Sequence, residues 1–261
     1  VVLLGLRVGY EPAGAVLLGF GVYTPLERRW RRHDQPVRRP GLRTDVVHLL
    51  VTGVLTTAAT LVPVVVAIVA LRGVPTLEAT LRSSSAPVQA VVAFVLLDLL
   101  GYWIHRCQHR SAFLWRFHRV HHSSTHLDWI AGARNHPLDG AFGVAVAIVP
   151  ALLLGVRPDM LGALAAVRGL WAVLLHANVR WRLAWLDGRL ATPEFHHWHH
   201  SAHPEAYDTN FAAFLPLWDR LFGTYRMPVG VRPTRYGVDD PPPVGWWSHL
   251  RAPFHRRLTW F

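Results

Sequence analysis

The sequence predicts an all-α integral membrane protein, with about four transmembrane helices in two hairpins and a helical, histidine-rich cap at one end. Three observations predict it. Apolar residues make up 51% of the 261-residue chain against 16% charged, and they fall in long runs. All 27 basic residues are arginine, and they cluster beside those runs. Thirteen of the 17 histidines lie between His105 and His203, in repeated short spacings.

The elements follow in order. A short apolar stretch at 13–23 leads into a linker with seven arginines between residues 24 and 45, a cytoplasmic mark under the positive-inside rule. Residues 46–71 are a first span without a charge, and Pro63 is tolerable there. A loop carrying Arg72, Glu78 and Arg82 turns the chain back into a second apolar helix, 86–104, interrupted only by Asp98. Two crossings return His105 to the side of the linker. Residues 105–139 are too polar for lipid. A second pair, 140–156 and 160–175, follows around an Arg-Pro-Asp turn. Each is about 25 Å long as a helix, near the lower limit for crossing, and Arg168 weakens the second. A full crossing and a re-entrant hairpin both return His176 to the side of the other histidines. Residues 178–261 hold no run long enough to cross. The domains expected are an N-terminal apolar stretch and basic linker (1–45), a membrane core (46–237) and a proline-rich basic tail (238–261).

A net charge of +11 points to an anionic membrane surface and not to nucleic acid, because the arginines flank apolar runs instead of forming a stripe with aromatics. Cys107 is the only cysteine, which excludes an intrachain disulfide and disfavours a thiolate metal site. The chain opens on Val1, so its natural start is expected upstream. Residues 1–22, broken by Arg7, Glu11 and Pro12, lack a signal-peptide layout.

The histidines carry the chemistry. His105 and His109 are spaced i, i+4; His118, His121 and His122 are spaced i, i+3, i+4, and His196, His199 and His200 repeat that spacing. Each set therefore lies on one face of a helix. His136 in RNHPLD and His176 in HAN lie between the sets. Neutral imidazoles in such pairs are metal ligands, and there are too many for one ion, so two metals sharing the set is the economical reading. Imidazole suits zinc, copper, iron and nickel alike.

The three boxes in this order, with DLLGYWIHR, LWRFHRVHHSS, RNHPLD, HANV, TPEFHHWHH and WDRLFGTY around them, resemble the fatty acid hydroxylase/sterol desaturase superfamily over about residues 45–237. The resemblance implies a metal-binding cap holding two iron ions; the arginine placement puts that cap on the cytoplasmic side, and zinc is the substitute expected in isolated protein because imidazole accepts both ions. The resemblance makes the eight box histidines ligands, and His136 and His176 further ligands or their close supports. The reaction implied is O2-dependent hydroxylation or desaturation at an unactivated C–H bond of a membrane lipid: a fatty acyl chain, sterol, carotenoid or ether lipid. A separate electron-donor protein is expected, because no flavin, haem or iron–sulfur motif occurs here. The location expected is the bacterial inner membrane, with the metal site on the cytoplasmic side. NFAAF at 210–214 departs from relatives that often have glycine after the aromatic, a change expected to affect packing only.

Supporting residues follow from position. Asp98, seven residues before His105, is expected to hydrogen-bond a ligand imidazole. Asn178, Asp208 and Asn210 adjoin the boxes and are expected to act similarly. His126, His197 and His203 fall off the repeated spacing, and His33, His48, His249 and His255 are remote from it. Trp103, Trp115, Trp129 and Trp198 suit a membrane-interface belt. Two other classes stand beside the oxidase. A membrane zinc hydrolase would need an acid base, for which Glu194 is the only candidate beside the third box and no H-E-x-x-H exists. The other is a non-enzymatic metal- or lipid-binding membrane protein.

Overall fold

The computed structural model describes residues 2–3, 6–7, 12–70, 81, 83–181 and 185–255. Nearly all of its regular structure is helical; the strands are a two-residue antiparallel pair, Val2–Leu3 with Leu6–Arg7. Helix α1, Pro12–Leu18, runs through a π turn and a further helix into the arginine linker. The long helices are α2 (Leu42–Ala70), α3 (Ala86–Arg110) and α6 (Pro158–His176), and these three are long and apolar enough to cross a membrane. Between them lie α4 (Ala112–His122) and α5 (Pro137–Leu153). The cap is completed by α7 (Pro193–His199), α8 (Leu217–Leu221) and α9 (Trp246–Arg251). The expected loop with Arg72, Glu78 and Arg82 lies outside the described residues.

Local sequence sets these boundaries. Helices α3, α5, α6 and α7 each begin with proline in the first turn, where its missing N–H costs nothing. Ser111 is a one-residue corner. Extended at φ −92° and ψ 116°, it ends α3 and caps α4 by accepting the Leu114 N–H. Gly155, at φ +80°, makes the turn between α5 and α6.

Helix α5 packs against α2 and α3. Gly140 allows the close approach, since a Cβ there would stand 2.8 Å from Thr56 Cγ2. At 17 residues α5 is about 25 Å long, short of the ~30 Å hydrocarbon core. One apolar core joins Ala93, Leu97, Ala151, Val156 and Leu161, and another joins Tyr102, Leu175, Phe195 and Phe211 beneath the cap. The outward faces stay apolar, with Val62, Val66, Val91 and Val167 more than half exposed. A surface of that kind suits lipid.

The linker is strapped to the cap. Arg32 pairs bidentately with Glu194 at 2.9 Å, and Arg39 does so with Asp128 at 2.6 Å. The basic linker and the histidines therefore share one end of the molecule. Tyr236, just before the tail, bonds His197 there, and the tail itself packs through His249 on His48.

Candidate metal centre

Helix ends deliver the histidines. His105 and His109 sit in the last two turns of α3, and the Ser111 corner turns α4 so that His118, His121 and His122 face them. His176 is the last residue of α6; His196 and His199 lie on α7 and His200 at its end. The rings gather into two groups: His105, His109, His118, His122 and His199, and His121, His176, His196 and His200. Within each group one nitrogen per ring lies within 4.8 Å of all the others. His122 and His200 stack at 4.3 Å and link the two groups.

The contacts suit metal ligands better than a hydrogen-bond chain. His122 Nε2 lies 3.1 Å from both His109 Nε2 and His199 Nε2, and a single ring nitrogen cannot serve two such neighbours. In the other group the Nε2 atoms of His121, His176, His196 and His200 follow one another at 3.0–3.1 Å. Two nitrogens each ~2.1 Å from one ion at a right angle stand roughly 3.0 Å apart. His118 Nε2 is buried with no hydrogen-bond partner, a costly position that an ion relieves. These residues fit a metal in each group.

The opposite nitrogens are held. Carbonyls of Phe211, Arg134, Ala172 and Thr209 accept from Nδ1 of His105, His121, His176 and His199 at 2.7–3.0 Å. This fixes the tautomer and leaves Nε2 free for metal. Two of those carbonyls depend on unusual backbone: Asp208 and Asn210 adopt φ 56° and 58°, on either side of Thr209. Asp and Asn tolerate the left-handed region better than other non-glycine residues, and such strain collects where a site requires it. Asn210 also clamps the loop, bonding Phe195 O, Arg226 O and Arg226 N–H. Burial, then neighbouring imidazoles, push His121, His122, His196 and His200 well below the ordinary histidine value. Burial takes His199 down to about 3, against the Thr209 carbonyl. These rings are neutral at physiological pH, the form that binds metal.

Nine of the ten histidines expected as ligands meet in these groups; His136 does not. Its Nδ1 accepts the Leu138 N–H and its Nε2 donates to the Leu250 carbonyl, so it caps α5 instead. Asp98 also differs from expectation, for it touches no histidine. Its carboxylate accepts from the Phe214 and Leu215 N–H groups and Trp218 Nε1, and pairs with Arg168 at 3.4 Å. Within apolar surroundings the acid found an arginine and a loop. Asn178 exchanges bonds with the His33 backbone rather than supporting a ligand. Asp208 binds Arg110, and its carboxylate stands 3.8 Å from His109 Nδ1, too far for a hydrogen bond. Trp129 and Trp198 are buried, not in an interface belt: Trp129 packs on Gly19 and bonds Thr24.

One supporting residue escaped the sequence reading. Asp139 accepts from His118 Nδ1 at 2.9 Å and from Gln108 Nε2 at 2.6 Å. Its signal was present, as the only acid between Asn135 and Pro158, opening an apolar helix.

Comparison with known proteins agrees with this geometry. The family profile described as fatty acid hydroxylase matches residues 90–224. The chain is 32% identical to an ornithine lipid hydroxylase of Rhizobium tropici, over 98% of this chain and 77% of that protein. It is 32% identical to an alkylglycerol monooxygenase of Danio rerio over 51% of this chain and 30% of that one. With a lathosterol oxidase of Mus musculus identity is 28%, over 53% and 46%. No solved structure matches the chain. A profile matching from the apolar helix that carries His105 to the loop beyond the third histidine box, together with a relative matching almost end to end, places this chain in the fatty acid hydroxylase family.

Proposed function

We propose that the chain is a membrane oxidase that binds two iron ions, one in each histidine group, and uses O2 to hydroxylate or desaturate a lipid C–H bond. The observation that carries it is the pair of converging imidazole groups at the ends of apolar helices. Iron would be held by His105, His109, His118, His122 and His199, and by His121, His176, His196 and His200; zinc is the substitute expected in isolated protein. Bound iron supplies activation of O2. Hydroxylation puts one oxygen atom into the C–H bond and releases the other as water, consuming two electrons and two protons. Those electrons come from a separate donor protein. The protein's own part is to keep the rings neutral and oriented, exclude water, and place one carbon of the substrate within reach. The unit 46–237 carries this chemistry, with the linker and tail packed on it.

The relative matching almost the whole chain is named for ornithine lipid, so an amino-acid-headed lipid is the first substrate to test. Lipidomics of cells with and without the protein should show a lipid gaining one oxygen or losing two hydrogens. An unchanged lipidome, with the protein in the membrane and iron-loaded, would sink the reading. The hydrolase alternative is weaker because Glu194, the acid beside the third box, is buried in a bidentate pair with Arg32, and the Asp139 carboxylate is taken up by His118 and Gln108.

The cap faces the cytoplasm of the bacterial inner membrane in this proposal. Reporter fusions after Arg39 and Pro228 should read cytoplasmic and one after Ser83 the opposite; a cytoplasmic Ser83 would overturn the first hairpin.

A further inference from the structure

A cavity of about 590 Å³ opens where α2 begins, lined by Arg38, Arg39, Gly41, Arg43, Thr44 and, from the C-terminal segment, Val244. The volume is within the range of small-ligand sites. Arg39 is already paired with Asp45 and Asp128. Arg38 and Arg43 are exposed and form no ion pair with any described residue, and no acid lines the cavity. Thr44 is buried there, and its side chain makes no hydrogen bond to a described residue. Two unopposed guanidiniums around a cavity favour an oxyanion, which arginine meets in bidentate fashion.

The helix below tells what the anion is attached to. Arg43 is followed along α2 by Val47, Leu50 and Val54, all exposed and spaced about one turn apart. A positive rim above an outward apolar strip matches an amphiphile with an anionic head. Gly41, at φ +80°, adds a reason for the cavity's shape: a Cβ there would lie 2.7 Å from Arg134 Nη2. Arg134 holds His121 through its carbonyl, so the cavity wall is continuous with the cap.

We propose that this cavity binds the anionic headgroup of a membrane phospholipid, whose acyl chains lie along Val47, Leu50 and Val54. The site is separate from the histidine groups and stands whether or not the bound lipid is the one oxidised.

The test uses the full chain in nanodiscs of phosphatidylcholine containing some phosphatidylglycerol, with retained lipid read by native mass spectrometry. The expected preference for phosphatidylglycerol is roughly thirtyfold, from two arginines near an anionic surface. The double variant Arg38→Gln/Arg43→Gln should abolish it. Arg28→Gln/Arg29→Gln, exposed in the same linker but outside the cavity, removes the same charge and should keep it. Excess inorganic phosphate should not displace the retained lipid. Equal preference in the parent and the Arg38/Arg43 variant would overturn the site. Equal loss in the Arg28/Arg29 variant would show diffuse attraction only, and full displacement by phosphate would show a free-anion site; both overturn the proposal.

Discussion

The two histidine groups use the same ligand and share carbonyl supports behind two rings each, but only the five-histidine group adds a carboxylate. In the five-histidine group His105 and His109 are only partly buried, the Trp115 ring lies 5.0 Å from His109 and 5.5 Å from His122, and the Asp139 carboxylate holds His118. In the four-histidine group every ring is buried, and backbone carbonyls of Arg134 and Ala172 do the holding; no carboxylate of a described residue hydrogen-bonds its rings. A carboxylate behind an imidazole raises its basicity, whereas a carbonyl mainly orients it. The first group is therefore the more electron-rich and accessible, the second the more shielded.

Ligand removal breaks the comparison most strongly. His199→Ala and His196→Ala should each lower product formation by about a hundredfold or more, beyond the ~10–100-fold cost of losing a group behind a ligand. Metal analysis should show the loss in the group that was cut, with membrane insertion intact, because α7 follows the last apolar helix. Near-normal turnover and metal content in His199→Ala would end the two-metal reading.

Asp139→Asn sharpens it. Metal affinity should fall ~10–100-fold in the five-histidine group and stay unchanged in the other. Equal losses would mean that the carboxylate does not distinguish the groups.

Acid should expose the shielding. For His121, His122, His196 and His200 the folded value lies below the unfolded ~6.5, so the unfolded chain binds protons first. Their stabilisation is present above about pH 6.5 and is lost as pH falls below it. Thermal melts of metal-free protein should drop on mild acidification. Metal-loaded protein should resist until the ion leaves, and identical pH profiles would contradict the assignment.

The smallest effect concerns a histidine outside both groups. His197 is fully buried, with Nδ1 at 2.9 Å from the Tyr236 hydroxyl and Nε2 donating to the Ala177 carbonyl at 3.0 Å. Its position off the repeated spacing separates it from the ligands but gives no sign of these two bonds. His197→Gln should keep both metals but cost about 1–3 kcal/mol of stability. Loss of metal in this variant would place His197 in the site after all.

Much of this was legible because the chemistry is periodic. The spacing of the three boxes put eight histidines on helical faces, and hydrophobic runs located the three long helices within a few residues. What failed was partner choice. Asp98 lies on the ligand helix and near the right face, but helix position does not say that residues 214–218 fold back onto it. His136 sits beside a ligand helix, yet its ring turns to the start of α5. Asp139 was overlooked beside it, though its isolation in an apolar segment marked it. Carbonyl supports such as Thr209 and Phe211 carry no side-chain signature at all; the Asp208 and Asn210 flanks were the nearest sign.

The pair between Arg32 and Glu194 joins residues 162 apart. At ribosomal rates of about 5–20 residues per second, Arg32 is made roughly 8–30 s before its partner exists. In the proposed topology its charge meets the membrane surface during that interval, as one of the arginines that keep the linker on the cytoplasmic side. Once Glu194 arrives, the same guanidinium becomes an internal fastening for the third histidine box. Under the proposed function, metal loading is then a late event, one that waits on nearly the whole chain.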